Sequence, residues 1–247
     1  MRTVAIIQAR MGSTRLPGKV MMKILDKTVL EHVIYRVLQA KEIDDIVIAT
    51  TTKSDDDIIV KEANRLGVKH SRGSEEDVLS RYYHAAIENK VDIVVRITSD
   101  CPLIDPQIID EMVMKFKKLY NEHKVDYLSN TQDRTFPRGL DVEIFPFNIL
   151  EETFCNAEKL HQREHVTPYI YENKDKFKLE NYLNKIDYSS HRWTLDTPED
   201  YEMIKMIYEG LNDCSSHTII LFQDIIEYLE LYPEIALINS NINQKIF

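Results

Sequence analysis

The chain has 247 residues, of which 43% are hydrophobic, and a formal net charge of -10. This hydrophobic content suffices for the buried core of one large α/β domain or of two small ones. The acidic balance argues against a general nucleic-acid-binding protein, which would normally carry a basic face.

The first half of the chain alternates between strand and helix patterns. Short β-branched runs at residues 4–7, 46–51 and 93–97 predict buried central strands. Apolar residues at helical spacing predict helices over the following segments: 29–38, 58–66, 75–88 and 106–120. The alternation predicts a parallel sheet, in which ligands bind outside the carboxyl ends of the strands.

The second half is less regular. Residues 140–145 alternate like a strand, and helical stretches follow around 150–160 and 166–171. Further on, we predict a strand at 192–195, a helix from 198 to about 210 with Asp196 or Thr197 as its cap, and a helix at 222–231. Because no linker or repeat divides the chain, we predict a single domain over residues 1–247. Within it, residues 126–190 or so would form a subregion that carries the substrate.

The cysteines and the start of the chain bear on location. Cys101, Cys155 and Cys214 are too widely spaced for a metal-binding pair or an even-numbered disulfide framework, which favours a reducing cytoplasm. The apolar run before Gln8 is too short for a signal-peptide core or a membrane span. We therefore expect a cytoplasmic protein that binds neither membrane nor nucleic acid.

A basic segment, QARMGSTRLPGK at residues 8–19, follows the first predicted strand. It differs from a Walker loop, because five residues rather than four separate its glycines and a valine replaces the metal-binding hydroxyl. Arg10, Arg15 and Lys19 have no acid among them, so the segment predicts a site for a multiply anionic ligand such as a triphosphate. A solvated basic loop is the alternative.

Two acids each follow an apolar run, and both runs predict strands that end at the same edge of the sheet. Asp100 stands in RITSDCPLID and Asp196 in RWTLDTPED. Magnesium usually takes one or two protein carboxylates and completes its octahedron with water and phosphate oxygens, so this pair is a candidate Mg²⁺ site. A turn acid at Asp100 and a helix cap at Asp196 are the alternatives.

The segment PRGLDVEIF places Asp141 and Glu143 on one face of a predicted strand, where they could contact sugar hydroxyls. An edge strand with a solvated acidic face is equally compatible with the pattern. In HQREH, His161 and His165 match a zinc-peptidase signature, but Pro168 follows closely and no other signature accompanies them. We expect these histidines to contact substrate or neighbouring residues instead.

Five segments in this order resemble the cytidylyltransferases grouped with the spore-coat polysaccharide protein SpsF: IIQARMGSTRLPGK, RITSDCPLID, FPRGLDVEIF, REHVTPYIY and WTLDTPEDY. These enzymes are related to the CMP-KDO and CMP-sialic acid synthetases. The resemblance covers residues 1–207 and implies a Rossmann-like, GT-A-like nucleotidyltransferase fold, with a central mostly parallel mixed sheet flanked by helices. Residues 71–81 are typical of the SpsF group rather than of the KDO enzymes, so the acceptor cannot be carried over from the latter.

The resemblance also implies roles for individual residues. Arg15, Lys19, Asp100 and Asp196 would be catalytic, and the two aspartates would hold Mg²⁺. The residues implied in nucleotide binding are Gln8, Ala9, Arg10, Met11, Gly12, Ser13, Arg15, Lys19, Thr50, Arg72, Asp77, Arg81 and Ser99. Those implied in acceptor binding are Arg138, Asp141, Glu143 and His165, with Arg138 facing the carboxylate of an acidic sugar.

The predicted function is transfer of CMP from CTP to a sugar or sugar-acid acceptor with release of pyrophosphate, for surface polysaccharide or glycoconjugate biosynthesis. The partners implied are CTP, a small-molecule acceptor and a second copy of the chain in a homodimer. The subregion at residues 126–190 or so would then serve acceptor binding and dimerisation. Three alternatives remain open at this point. They are a sugar-1-phosphate nucleotidyltransferase using another triphosphate, a GT-A-like glycosyltransferase consuming a nucleotide sugar, and a catalytically silent nucleotide sensor.

Overall fold

A seven-stranded sheet forms the centre of the structure, a computed structural model that describes residues 1–211 and 219–242. Its strands in chain order are β1 (Thr3–Gln8), β4 (Asp45–Thr51), β5 (Lys69–Gly73), β6 (Ile93–Thr98), β7 (Tyr127–Ser129), β8 (Glu143–Pro146) and β9 (Leu179–Asn181). The short strands β2 (Lys23–Ile24) and β3 (Lys27–Thr28) form a separate antiparallel pair.

The sheet order is β5-β4-β1-β6-β8-β7-β9. Strand β1 runs parallel to β4 and β6, and β4 runs parallel to β5, whereas β8 is antiparallel to both β6 and β7. The predicted strands at 4–7, 46–51 and 93–97 are thus confirmed as three neighbours, and the predicted mostly parallel mixed sheet is confirmed with them.

Helices cover both faces of the sheet. They are α1 (Val29–Val37), α2 (Asp57–Arg65), α3 (Val78–Glu88), α4 (Pro106–Asn121), α5 (Phe147–Asn156), α6 (Leu160–His165), α7 (Pro168–Glu172), α8 (Pro198–Leu211), α9 (Phe222–Leu231) and α10 (Pro233–Leu237). Alternate residues of β1 face opposite ways, so Ala5 and Ile7 join the core under α1, α4 and α8, while Val4 and Ile6 join the core under α3 and α5.

Several helix ends follow from capping. Asp105 accepts hydrogen bonds from the backbone of Gln107 and Ile108, as predicted from its place before Pro106. The helix predicted from residue 75 begins only at Val78, because Asp77 is its cap and accepts from the backbone N–H of Ser80. Helix α9 has the bounds predicted for it, and α4 and α8 each extend one residue beyond the predicted end.

The second half shows the largest differences from expectation. The predicted strand at 140–145 begins only at Glu143, because the side chain of Asn130 bonds the carbonyl of Leu140 and the N–H of Val142. The two helices predicted at 150–160 and 166–171 correspond to three helices, α5, α6 and α7, whose bounds differ from the predicted ones. Helices α6 and α7 are separated at Val166, whose φ is 73°. Strand β5 was not predicted, because its sequence, KHSRG, carries no apolar pattern.

The prediction of a strand at 192–195 is wrong. This segment makes only an isolated bridge between Arg138 and Arg192, and then the N–H of Leu195 bonds the carbonyl of Asp100. Gly139, at φ 105°, allows the backbone at the Arg138–Arg192 bridge to come this close, since a Cβ on Gly139 would lie 2.5 Å from the carbonyl carbon of Trp193.

No helix in the described part of the chain is both long and apolar enough to cross a membrane. Cys214 and the tail from residue 243 onward lie outside the described residues.

Candidate active site

A cavity of about 370 Å³ opens at the carboxyl ends of β1 and β6. It brings together most of the residues that the sequence assigned to the nucleotide and to catalysis. Those lining it are Gln8, Ala9, Arg10, Gly12, Ser13, Arg15, Lys19, Arg81, Ser99, Asp100 and Asp196, joined by His165 from the predicted acceptor set. The edge of the sheet at which ligands were expected is therefore the edge that carries the cleft.

The basic segment forms a loop anchored on its neighbours. The N–H groups of Ser13 and Gly18 both bond the carbonyl of Met11, which folds the segment on itself. The N–H of Met11 in turn donates to Asp56 Oδ1 at 2.7 Å, and Asp56 also accepts from the hydroxyl of Thr51 at the end of β4. Asp56 thus positions the loop, a role that the sequence analysis missed although the acidic run at 55–57 precedes a predicted helix.

Lys19 lies between the two predicted metal acids. Its Nζ donates to Asp100 Oδ2 at 2.9 Å, to Asp196 Oδ1 at 2.8 Å and to the carbonyl of Leu195 at 2.7 Å. Burial alone would lower the pKa of Lys19, but the two carboxylates outweigh it and raise that pKa above the ordinary value. The side chain is therefore a charged ammonium that holds together acids from distant parts of the sequence.

Asp100 is held in its charged form by the same contacts. Burial would raise its pKa, yet the charge of Lys19 and the hydroxyl of Thr98, which donates to Asp100 Oδ1 at 2.6 Å, lower it to about 2. The turn-acid alternative does not account for this, because the carboxylate lines the cavity and bonds a side chain from another element.

Asp196 lies between two cationic side chains and does not cap helix α8. Its Oδ2 lies 2.8 Å from Arg15 Nη2 and 3.0 Å from Arg192 Nη2. Arg192 is itself fixed by Asp200, 2.9 Å from its Nε. The cap of α8 is Thr197, whose hydroxyl accepts from the N–H of Asp200, while Asp200 accepts from the N–H of Thr197.

The pair Asp100 and Asp196 fits a magnesium ion bound together with phosphate. Both side chains line the cavity and are 25% and 14% exposed. Each of their oxygens contacts Thr98, Lys19, Arg15 or Arg192, so a metal ion would replace one of these contacts. Within residues 1–211 and 219–242, no group of three or more histidine, cysteine or acidic side chains could hold a metal by itself. Two carboxylates suit Mg²⁺, which takes its remaining ligands from water and phosphate, better than they suit a cation held by protein alone.

The zinc-peptidase alternative has no structural support. Both histidines lie on the six-residue helix α6, but His161 contacts Glu172 at 2.6 Å, and no third metal ligand joins the pair among the described residues. His165 lines the cavity at the ends of β1 and β6, which is the main cavity of the candidate active site. Its neighbour Glu164 lines the same cavity and was missed by the sequence analysis. Burial lowers the pKa of His165, which favours the neutral imidazole.

Four residues assigned to the nucleotide do not line the cavity. Arg72 bonds the carbonyls of Thr51 and Lys53 and pairs with Asp57 at the end of β5. The other three are turned inward or engaged elsewhere: Met11 packs against the core, Thr50 is fully buried, and Asp77 caps α3 and pairs with Arg163. For these residues the contacts observed are structural.

Three of the four predicted acceptor residues are also placed elsewhere. Glu143 is 5% exposed and bonds Arg96, the hydroxyl of Tyr127 and the hydroxyl of Thr167, so it cannot form an open face with Asp141. Arg134 approaches Asp141 with two nitrogens, at 2.5 and 3.0 Å.

Arg138 lines a second cavity, of about 310 Å³, together with His191, Arg192 and Asn239. Burial, followed by the charge of Arg134, lowers its pKa. Only His165 of the predicted acceptor set lies at the main cavity.

Comparison with known proteins identifies the family of this chain. Residues 4–235 match the cytidylyltransferase family. A cytidylyltransferase from Leptospira borgpetersenii serovar Hardjo-bovis (strain JB197) has 40% sequence identity and a TM-score of 0.89, covering 100% of this chain and 99% of that one. Spore coat polysaccharide biosynthesis protein SpsF of Bacillus subtilis (strain 168) is 35% identical over 211 residues, which are 83% of this chain and 85% of that protein.

A more distant structure shows the fold alone. The CMP:2-keto-3-deoxy-manno-octonic acid synthetase complexed with CTP has 17% identity and a TM-score of 0.66 over 85% of this chain and 99% of its own. The family match spans nearly the whole chain, and it includes the loop, Asp100 and Asp196 that form the cleft. The chain belongs to the cytidylyltransferase family and is a CTP-dependent nucleotidyltransferase.

Proposed function

We propose that the protein transfers CMP from CTP to a sugar-acid acceptor and releases pyrophosphate. The observation that carries the proposal is the cluster in which Lys19 lies between Asp100 and Asp196, with Arg15 on the outer oxygen of Asp196. A triphosphate with its cation needs both signs of charge at one place, and this cluster supplies both at the edge of the sheet where ligands bind.

The residues divide the chemistry between them. An acceptor oxygen attacks the α-phosphorus, and negative charge grows on the β-phosphate as it leaves. Arg15 and Lys19 would stabilise this charge, and Arg10 at the start of the loop would bind the triphosphate. Mg²⁺ held by Asp100 and Asp196 would neutralise phosphate charge. Because positioning and electrostatics account for most of phosphoryl-group catalysis, little covalent chemistry is required of the protein.

The acceptor class rests on the relatives. A 3-deoxy-manno-octulosonate cytidylyltransferase of Chlamydia trachomatis is 30% identical over 85% of this chain, and the SpsF relative is named for polysaccharide biosynthesis. We extend both features to this chain as proposals. The acceptor would enter beside His165, within the predicted subregion 126–190. A homodimer and a cytoplasmic location belong to the same proposal.

The test is a pyrophosphate-release assay with Mg²⁺ and each common nucleoside triphosphate, against a panel of sugar acids and sugar phosphates. We expect turnover with CTP and at least one sugar acid. Thermal unfolding complements the assay, since a ligand at a hundred times its Kd stabilises the folded state by about 2.7 kcal/mol. Turnover only with another triphosphate and a sugar-1-phosphate would contradict the proposal, and stabilisation by nucleotide sugars alone would favour a glycosyltransferase.

A further inference from the structure

A buried hydrogen-bond network centred on Asp200 lies behind the catalytic cluster. Asp200 is fully buried, and its Oδ2 accepts from the N–H of Asp196 at 2.9 Å and from the N–H of Thr197 at 3.0 Å. Arg192 donates to both of its oxygens, with Nε 2.9 Å from Oδ1 and Nη2 3.1 Å from Oδ2. Arg192 Nη2 also donates to Asp196 Oδ2 at 3.0 Å. Asp200 therefore holds Asp196 in two ways, through its backbone and through the arginine that contacts its carboxylate.

Asn239, from the turn after α10, completes this network. Its side chain is 3% exposed, and its Nδ2 donates to Asp200 Oδ1 at 2.8 Å and to the carbonyl of Arg192 at 2.8 Å. The two hydrogens of an amide nitrogen allow both bonds, and because both partners are acceptors, the nitrogen rather than the oxygen of the amide must face them. Asp196 lies in the middle of the segment 192–200, so one side chain ties together the two ends of the segment that carries it.

The C-terminal helices that supply Asn239 are anchored away from the cleft. Helices α9 and α10 pack on the core through Ile225, Leu229 and Ile235. The N–H of Phe222, at the start of α9, donates to Asp105 Oδ2 at 2.5 Å. Asn239 itself lies beyond residues 4–235, which match the family. The helices therefore present the amide of Asn239 at a fixed place behind the catalytic cluster.

The network is needed most when a cation enters the cleft. The carboxylate of Asp196 contacts Lys19, Arg15 and Arg192, so an incoming metal ion replaces one of these contacts. The bond from the N–H of Asp196 to Asp200 does not involve that carboxylate and can remain. Side chains that orient metal ligands from behind typically change metal affinity or activity by about 10- to 100-fold when they are replaced.

We propose that Asn239 is a positioning residue for the reaction. It holds Asp200, and through Asp200 it holds Asp196 in the orientation that binds Mg²⁺ together with the triphosphate. Asn239 lines the second cavity and not the main one, so it acts through Asp200 rather than by contact with the substrate. The inference rests on the proposed function, and it gives the C-terminal helices a part in the chemistry of the cleft.

The experiment measures the Mg²⁺ concentration at which CTP gives half of its full rise in unfolding temperature, without an acceptor, so that no turnover takes place. Calorimetry in EDTA gives the Kd for CTP without the cation. The variants are Asn239→Leu, which has a similar size but no donors, and Asn239→Ala. Asn130→Ala is the matched control, because Asn130 is 1% exposed and bonds the backbone of Leu140 and Val142, outside the lining of the main cavity.

We expect both Asn239 variants to raise the half-effective Mg²⁺ concentration about tenfold and to leave the Kd for CTP in EDTA unchanged. At a fixed, subsaturating Mg²⁺ concentration, kcat for pyrophosphate release should fall by a similar factor and should recover as Mg²⁺ is raised. Asn130→Ala should lower the unfolding temperature of the free protein, because it also removes buried hydrogen bonds, but it should leave the Mg²⁺ dependence unchanged.

Other outcomes overturn the assignment. An unchanged Mg²⁺ dependence in both Asn239 variants, with a lower unfolding temperature, would make Asn239 a structural residue and leave the proposed function intact. An equal rise in Asn130→Ala would assign the effect to a general loss of stability. A wild-type protein that CTP stabilises equally with and without Mg²⁺ would contradict the metal site of the proposed function and this inference together. If Asn239→Leu does not fold, Asn239→Ala decides the question by the same ratios.

Discussion

Two charged networks lie next to each other at β6, and they differ in what they face. In the cleft network, Lys19 joins Asp100, just beyond β6, to Asp196 and lines the cavity. In the interior network, Arg96 of β6 pairs with Glu143 of the neighbouring strand β8, and neither side chain lines the cavity. The sequence motifs of the two networks look equally functional, so accessibility alone separates them.

The difference indicates two uses of buried charge. In the interior network the carboxylate of Glu143 is enclosed, because it also accepts from the hydroxyls of Tyr127 and Thr167. This network contacts the cleft through Arg96 Nη2, which donates to Gln8 Oε1 at 3.2 Å. In the cleft network Asp100 and Asp196 both line the cavity, so a phosphate or a metal ion that enters it can replace one of their partners. We therefore expect substitutions in the interior network to affect stability and those in the cleft to affect turnover.

The largest expected effect is on stability, from Glu143→Ala. This change leaves the Arg96 guanidinium without its carboxylate, and breaking a buried ion pair typically costs about 3–5 kcal/mol. Urea unfolding monitored by circular dichroism measures the loss. The matched control is Glu180→Ala in β9, whose pair with Lys115 is partly exposed and should contribute about 0–1 kcal/mol. Equal losses in the two variants would refute the distinction between the networks.

The next effect is on turnover, from Asp100→Ala and Lys19→Ala. By analogy with the loss of an oxyanion-hole donor, each should lower kcat for pyrophosphate release about 10²- to 10³-fold. Asp26→Ala serves as control, because Asp26 is exposed on the β2–β3 turn, pairs with its neighbour Lys27 and lies outside the cavity lining. A folded Asp100→Ala protein with near-native turnover would contradict the role of Asp100 as a metal ligand.

The sequence predicted the cleft network because its residues directly follow apolar strands. The three strands at 4–7, 46–51 and 93–97 are almost entirely buried, so their hydrophobic runs are nearly continuous and the ends of the strands can be recognised in the sequence. The loop after β1 and Asp100 after β6 then had to meet at the same edge. Asp196 was found by its motif, although the strand predicted before it is absent.

The interior network could not be recognised in the same way. The sequence of Asp141, Val142, Glu143 and Ile144 alternates like a strand. This alternation does not show whether the acidic face of the strand is exposed to solvent or covered by other residues. Arg96 of β6 lies opposite Glu143 in register, and that pairing depends on the antiparallel insertion of β8 between β6 and β7. Arg134 likewise pairs with Asp141 within the irregular half. Long-range pairs of this kind are decided by topology, which a local pattern does not contain.

The smallest effect concerns the acceptor and separates His165 from Arg138. His165 lines the main cavity, whereas Arg138 lines the second cavity with His191 and Asn239. We expect His165→Ala to raise KM for the acceptor about tenfold, the equivalent of one hydrogen bond, with KM for CTP unchanged. Arg138→Ala should leave both KM values unchanged, because its guanidinium lies outside the cleft.

A raised acceptor KM in Arg138→Ala alone would show instead that the acceptor reaches the second cavity. The accessible site would then extend from Asp196 across Arg192, which lines that cavity and pairs with Asp196 at 3.0 Å.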